Sequence, residues 1–430
     1  MIEPPAPSSL PAPSSPVLSD SPVGGSLDRL EFDRYVDPLV EVLTNDATET
    51  PFTIGVFGAW GSGKSSLIKM IDQRLAADHG EAFVRVHFNP WIHRKEPTML
   101  LPLLHTVQDT LAEDGRGRFA AAVKRIGSLI TTLSMDVLLR KATEGAVTID
   151  RVEQLSERYA ERRGQVESEI RKLRSTLQRQ ADAIAAKGAR LVIFVDDLDR
   201  CEPAEIVDVL ESLKLFLDLR NVFIVVAIAK EIVDRGVAAR YREFGFSAEQ
   251  VVEIGDEYLD KIIQLPVYLL PLDAVAVGRF LDALDLPAPI AAQTELLRRV
   301  VTPNPRRIKR VLNICAVTHA ISRRHDRLED LRFDVLVRLV VLRVQSPALH
   351  AAATKRPDLL VALEAAYEGS LNIERTEGFV NRFGAQDAQS MQAAVRRFHD
   401  SQDHLRNLFE GAGFAEVAGD LRLYLTMLGG

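Results

Sequence analysis

Apolar side chains fall into three rhythms along this chain. Phe52, Ile54, Val56 and Phe57 crowd one short stretch, and Phe83-Val-Arg-Val-His-Phe88 forms a second; both read as strands. Leu191-Val-Ile-Phe-Val195 and Val222-Phe-Ile-Val-Val-Ala-Ile228 are unbroken apolar runs, the pattern of strands buried on both faces of a parallel sheet. Around them the spacing changes to three and four. Leu30, Tyr35, Val36, Leu39, Val42 and Leu43 trace one helical face before the first strand; Leu67, Ile68, Ile71 and Leu75 trace another just after it. A further helix is expected from Lys230. Strands and helices alternating in this order predict an α/β fold, a doubly wound parallel sheet with its ligand at the carboxyl ends of the strands.

Residues 97–187 read as helical and interrupt that alternation. Within them Ile126 to Leu139 is apolar, but Asp136 sits inside and Lys124, Arg125 and Arg140 flank it. The stretch is too short for a membrane span, so it predicts a buried or surface amphipathic helix, with interfacial membrane contact as the second reading. From Asp150 to Lys187, Leu155, Tyr159, Val166, Ile170, Leu173, Leu177 and Ile184 recur among dense charges. This predicts a long exposed helix or short coiled coil, whose charges are either a solvated face or an arm that contacts a protein partner. Residues 1–26 are rich in Pro, Ser, Ala and Gly, too poor in large apolar groups to offset their ordering entropy, and read as a disordered tail. From about Leu270 the chain turns helical. The expected division is a tail at 1–26, a core domain at 27–270 carrying the insertion at 97–187, and a helical lid with a C-terminal helical domain at 271–430.

Composition narrows the partners. With 430 residues and 47% hydrophobic content, two or three domains with real cores are expected. A formal charge of −7 argues against a globally basic nucleic-acid binder and leaves only a local basic patch open. Cys201 and Cys315 are the two cysteines, so no disulfide framework is implied and a reducing compartment is natural. No apolar run reaches the ~18–20 residues of a span, and the start of the chain lacks the charge-then-apolar signature of a secretory signal. The expected address is the cytoplasm, with membrane association open through the 126–139 stretch.

The candidate chemistry lies where the first strand meets its helix. Gly58-x-x-x-x-Gly63-Lys64-Ser65 is a complete phosphate-loop pattern. Gly58, Ala59, Trp60, Gly61, Ser62, Gly63, Lys64, Ser65 and Ser66 then form the nucleotide-binding stretch. Glycine is needed at 58, 61 and 63, because a Cβ would block the turn and the approach of phosphate oxygens. Backbone N–H groups and the positive helix end converge there; Lys64 reaches the β- and γ-phosphates, and the Ser65 hydroxyl ligates Mg²⁺. The second half follows the third strand, at Asp196-Asp197-Leu198-Asp199-Arg200. Asp196, at the strand's tip, is assigned to the metal, and Asp197 to the attacking water, although Asp is shorter than the Glu usual in that role. Asp199 reads as a cap for the helix opening at Glu202-Pro203. No Asn-Lys-x-Asp follows the fourth strand, which favours ATP over GTP. His87 and His93 lack partners at ligand spacing and read as ordinary strand and loop residues.

Five blocks together resemble the KAP family of P-loop NTPases: residues 55–66, Phe88-Asn-Pro-Trp91, Asp196-Asp-Leu-Asp-Arg200, Tyr258-Leu-Asp-Lys-Ile-Ile-Gln-Leu-Pro266 and Asn304-Pro-Arg-Arg-Ile-Lys-Arg310. The resemblance covers roughly residues 28–315. It implies an extra strand between the phosphate loop and the acidic motif, ATP hydrolysis coupled to conformational change, often near membranes, and in bacteria roles that include phage exclusion. Two departures stand out. The insertion lacks the paired membrane helices many members carry, and Ala229-Lys230 stands where an Asp is common. Residues 303–313 admit three readings: a nucleic-acid patch, a solvated basic face, or a guanidinium on the γ-phosphate. Resemblance to the Asn-Pro-Arg block favours the last, with Arg306 as the sensor. The leading expectation is an ATPase acting as a nucleotide-controlled switch or assembly factor, with homo-oligomer formation open. Its alternatives are an ATP-binding scaffold with negligible turnover and a nucleic-acid-stimulated ATPase.

Overall fold

The computed structural model describes residues 18–25, 28–96, 98–113, 168, 170–241, 248–322, 331–399 and 405–428. The 126–139 stretch, most of the 150–187 arm and residues 1–17 and 26 of the expected tail lie outside them. The chain forms two compact units, Pro22–Leu270 and Pro271–Gly430 with Met1–Ser21.

The first unit is built on a five-stranded, wholly parallel sheet: β1 (Phe52–Phe57), β2 (Phe83–Phe88), β3 (Arg190–Val195), β4 (Val222–Ile228) and β5 (Leu265–Tyr268), in the order β2-β3-β4-β1-β5. The period-two alternation of the strands decides which helices cover which face. Val192 and Phe194 of β3 and Phe223, Val225 and Ala227 of β4 join the buried faces of α1 (Asp33–Thr44) and α2 (Lys64–His79). Leu191, Ile193 and Val195, with Val222, Ile224, Val226 and Ile228, pack on the other side. There they meet α3 (Leu100–Glu113), α4 (residues 170–185) and α5 (Pro203–Leu213). This is the doubly wound α/β sheet that the hydrophobic rhythm predicts. β1 and β3 are one strand apart, with β4 between them, so the loop after β1 and the acidic run after β3 emerge at the same edge.

β5 was not legible in the apolar rhythm. It is four residues long, contains Pro266 and alternates between half-buried and exposed positions. Proline, which cannot donate to a ladder, is tolerated in such an edge strand.

Residues 22–25 lie along α2. Val23 N–H donates to Ser66 Oγ at 3.2 Å, Lys69 Nζ to Pro22 O at 3.0 Å, and Gly25 N–H to Gln73 Oε1 at 3.2 Å. Positions 66, 69 and 73 share one helical face.

The second unit is helical in its described residues. The helix Phe333–Gln345 buries every side chain from Val335 to Leu342, Arg338 included. Arg338 donates to the carbonyls of Asn407, Leu408 and Gly411. Glu364, on the helix Asp358–Tyr367 and 4% exposed, accepts from the N–H groups of Gly413 (2.6 Å), Phe414 (3.1 Å) and Ala415 (2.8 Å).

Candidate functional site

After Phe57 the chain leaves the sheet at Gly58, whose N–H donates to Ile228 O at 3.2 Å and ties the loop to the end of β4. Gly61 and Gly63 have φ of 79° and 108°, a region other residues rarely adopt. At Gly63 a Cβ would also fall 2.4 Å from the Phe32 ring; at Gly58 it would fall 2.5 Å from Ser62 Oγ. α2 then starts at Lys64 with no side-chain cap and no acidic residue in its first turn. Its first N–H groups and positive end therefore face the loop without a competing carboxylate on the helix itself. Ser62 Oγ is buried with no hydrogen-bond partner, and Trp60, at the loop's tip, is 64% exposed.

Lys64 is only 6% exposed. Its ammonium donates to Gly58 O at 3.0 Å and Ala59 O at 3.1 Å and lies 3.5 Å from Asp199 Oδ2. Ser65 Oγ donates to Asp196 Oδ1 at 3.0 Å, and the Asp197 N–H donates to the same oxygen at 2.8 Å. Loop and acidic run therefore meet across β4. Burial pushes the Asp196 carboxyl above its ordinary range, opposed by those two donors and reinforced by the charges of Asp197 and Asp199.

Asp197 stands in the left-handed region at φ 60°. Its Oδ1 pairs with Arg200 Nε at 2.8 Å, and its Oδ2 accepts from Asn89 Nδ2 at 2.9 Å. Asn89 Oδ1 in turn accepts from the Trp91 N–H at 3.1 Å, and Arg200 stacks over the Trp91 ring at 5.4 Å. The Asn-Pro-Trp block after β2 thus closes on the acidic turn after β3. The strand register explains the meeting, because Phe88 is opposite Val195 and the residues that follow share one edge.

Asp199 does not cap the next helix. Glu202 is the N-cap of α5 and forms a capping box with Glu205, whose carboxylate accepts from the Glu202 N–H at 2.7 Å. Asp199 lies earlier, in the short 3-10 turn Leu198–Arg200, which directs it at Lys64.

Arg306 is the second residue of the helix Pro305–Ser322 of the second unit, with its Nε 3.8 Å from Asp20 Oδ2 of that same unit. Asn89, Arg200 and the placement of Asp199 are what the sequence reading missed. The signal for Asn89 was its place in the Phe88-Asn-Pro-Trp91 block, directly after a strand. His87 stacks on Phe194 and His93 on Phe88. Among the described residues no group of three or more His, Cys, Asp or Glu is arranged to hold a metal by itself.

The residues present fit a nucleotide with its magnesium ion. The unpartnered Ser62 hydroxyl, the uncapped helix start and the buried ammonium are three donors around one glycine turn. Ser65 and Asp196 supply oxygen donors alone, as suits a cation whose remaining ligands are phosphate oxygens and water.

Comparison with known proteins bears on this geometry. A family model described as the KAP family P-loop domain matches residues 32–322. The Phage T7 exclusion protein of Escherichia coli (strain K12) is 22% identical over 322 residues, covering 68% of this chain and 38% of that protein. An uncharacterized protein of Methanocaldococcus jannaschii is 23% identical over 167 residues, covering 32% of this chain and 86% of its own length. The chain thus spans 38% of the first of these relatives. Among solved structures, the Aeropyrum pernix ORC1 protein in complex with DNA is similar with a TM-score of 0.37 and 11% identity, covering 86% of this chain and 82% of that one.

Proposed function

The chain belongs to the KAP family of P-loop domains, and from that premise we propose that it binds ATP with Mg²⁺ on residues 58–66 and hydrolyses it as a nucleotide-controlled switch or assembly factor. The observation that carries this reading is the 3.0 Å contact of Ser65 Oγ with Asp196 Oδ1, beside a lysine ammonium buried in a glycine loop. Ser65 and Asp196 would hold the magnesium ion, which when bound neutralises charge on the phosphates. The chain's own work is positioning and charge stabilisation. The loop N–H groups and the Ser62 hydroxyl bind phosphate oxygens. Lys64 exchanges its loop carbonyls and Asp199 for the β- and γ-phosphates, and Asp196 keeps the Ser65 hydroxyl oriented. A carboxylate of the acidic turn receives the proton of the attacking water.

Purified protein is expected to turn over ATP in a magnesium-dependent manner. Lys64→Ala is expected to lose nucleotide binding, and Asp196→Asn to retain binding and lose turnover. Wild-type-like hydrolysis by both variants would overturn the assignment. Arg306 is proposed as the γ-phosphate sensor; Arg306→Ala is then expected to lower turnover with the affinity for ADP unchanged.

The name of the Escherichia coli relative, an exclusion protein for phage T7, supports a role in bacterial defence. Cells expressing the protein are expected to plate phage less efficiently than cells expressing Lys64→Ala, and equal plating would count against it. Among the described residues no helix is long and apolar enough to cross a membrane.

A further inference from the structure

We propose that Asp199, and not Asp197, takes the proton from the attacking water, while Asn89 and Arg200 hold Asp197 as a fixed post of the acidic turn. This rests on the hydrolytic reading above and assigns the residue that performs its central step.

A carboxylate that serves as base needs an oxygen facing the terminal phosphate, and that oxygen must become available when the nucleotide arrives. In a phosphate loop the lysine ammonium marks the β- and γ-phosphate position. Asp199 Oδ2 lies 3.5 Å from Lys64 Nζ, and the Asp199 side chain is 11% exposed. Its partner is the group that the phosphates claim on binding. The act of loading therefore frees the Asp199 carboxylate, in a place largely closed to bulk water.

Asp197 has the opposite arrangement. Both its oxygens are engaged, one by a guanidinium at 2.8 Å and one by an amide at 2.9 Å. Those two partners are themselves held by Trp91, through its N–H and its ring. None of the four groups is a phosphate-loop residue, so nucleotide arrival offers no exchange that would release them. The left-handed backbone at Asp197 completes the division of labour. It turns the chain so that Asp197 bonds toward the end of β2, and the 3-10 turn that follows brings Asp199 to the lysine.

The step balances without a further reactant. The water oxygen bonds to the γ-phosphorus while the bond from that phosphorus to the β,γ-bridging oxygen breaks. Its electron pair leaves with ADP, the water proton passes to Asp199 Oδ2, and inorganic phosphate forms. Lys64 balances charge on the phosphates, and Asp199 returns its proton to solvent.

The test compares Asp199→Asn and Asp197→Asn in the full chain. It measures turnover at saturating ATP and Mg²⁺, affinity for a non-hydrolysable ATP analogue by calorimetry with and without Mg²⁺, and the thermal melt of each variant. Asp199→Asn is expected to lose about 100-fold or more in kcat, with analogue affinity unchanged or tighter because a negative charge near the phosphates is gone. Asp197→Asn is expected to stay within about tenfold in kcat and to show its effect as a lower melting temperature. If Asp199 is only a charge partner for Lys64, Asp199→Asn tightens the analogue and keeps kcat within about threefold, which overturns the proposal. A loss of about 100-fold in Asp197→Asn with an unchanged melt also overturns it. Should Asp199→Asn fail to fold, Asp199→Ala with added formate replaces it: recovery of turnover by the external carboxylate supports the assignment, and no recovery counts against it. Wild-type protein that binds the analogue without hydrolysing ATP would defeat the hydrolytic reading itself, and the base assignment with it.

Discussion

Lys64 and Glu364 are both charged, both almost wholly buried, and sit in different units of the chain, yet their surroundings differ in kind. Glu364 is held by three consecutive backbone N–H groups, Gly413 to Ala415, which it orders into a turn. Those donors are main-chain groups of one turn, set in place by the fold itself. Lys64 is held by two carbonyls of its own loop and by a side chain that carries the opposite charge. Each of these contacts has a natural replacement in a phosphate oxygen. Burial of a charge therefore does not by itself mark a functional site. What separates the two is whether the partners are locked into the fold or exchangeable for a ligand.

Four substitutions put that contrast to the test. The largest effect is expected for Lys64→Ala, which should cost about 100-fold or more in ATP turnover, as for removal of a preorganised charge-stabilising donor. A steady-state assay checks this, and a near-normal rate would remove the contrast altogether. Glu364→Ala should do the reverse. One buried N–H, that of Phe414, and two partly buried ones lose a charged acceptor, so the second unit should lose about 1–3 kcal/mol of stability, read by hydrogen exchange, while nucleotide affinity of the folded protein stays as it was. Next comes Gly63→Ala. A left-handed φ and a 2.4 Å approach to Phe32 should destabilise the first unit by about 1–3 kcal/mol and weaken nucleotide binding, both measurable by thermal melts with and without ATP.

The smallest effect concerns His350, buried in the second unit with Nε2 unpartnered. Burial, helped by the charge of Arg343, lowers its pKa. A base whose folded pKa is depressed contributes stability that is present above the ordinary value of about 6.5 and is lost as pH falls below it. The second unit should therefore weaken on acidification from neutral pH, and His350→Leu should flatten that dependence. A melt of wild type and variant across this range checks the sign.

Much of the first unit was legible because burial on both faces of a sheet writes itself as an unbroken apolar run. β3 and β4 announce themselves in that way, and the glycine loop is spelled out by steric need at Gly61 and Gly63. β5 was not legible, since an edge strand of four residues with a proline and two exposed positions leaves no such run. The acidic turn misled for a different reason. Glu202-Pro203 marks a helix start correctly, but the positive φ at Asp197 and the 3-10 turn after it are backbone choices that residue types do not dictate. They move Asp199 from the helix end to the lysine. Asn89 needed the strand order, because its link to Asp197 exists only where β2 and β3 are neighbours.

The bonds of residues 22–25 to Ser66, Lys69 and Gln73 have a practical side. Hydropathy invites an experimenter to begin expression near residue 28, trimming a stretch that looks dispensable. Doing so would strip the lining from the outer face of α2 and strand the Ser66 hydroxyl one position beyond the residue that meets Asp196.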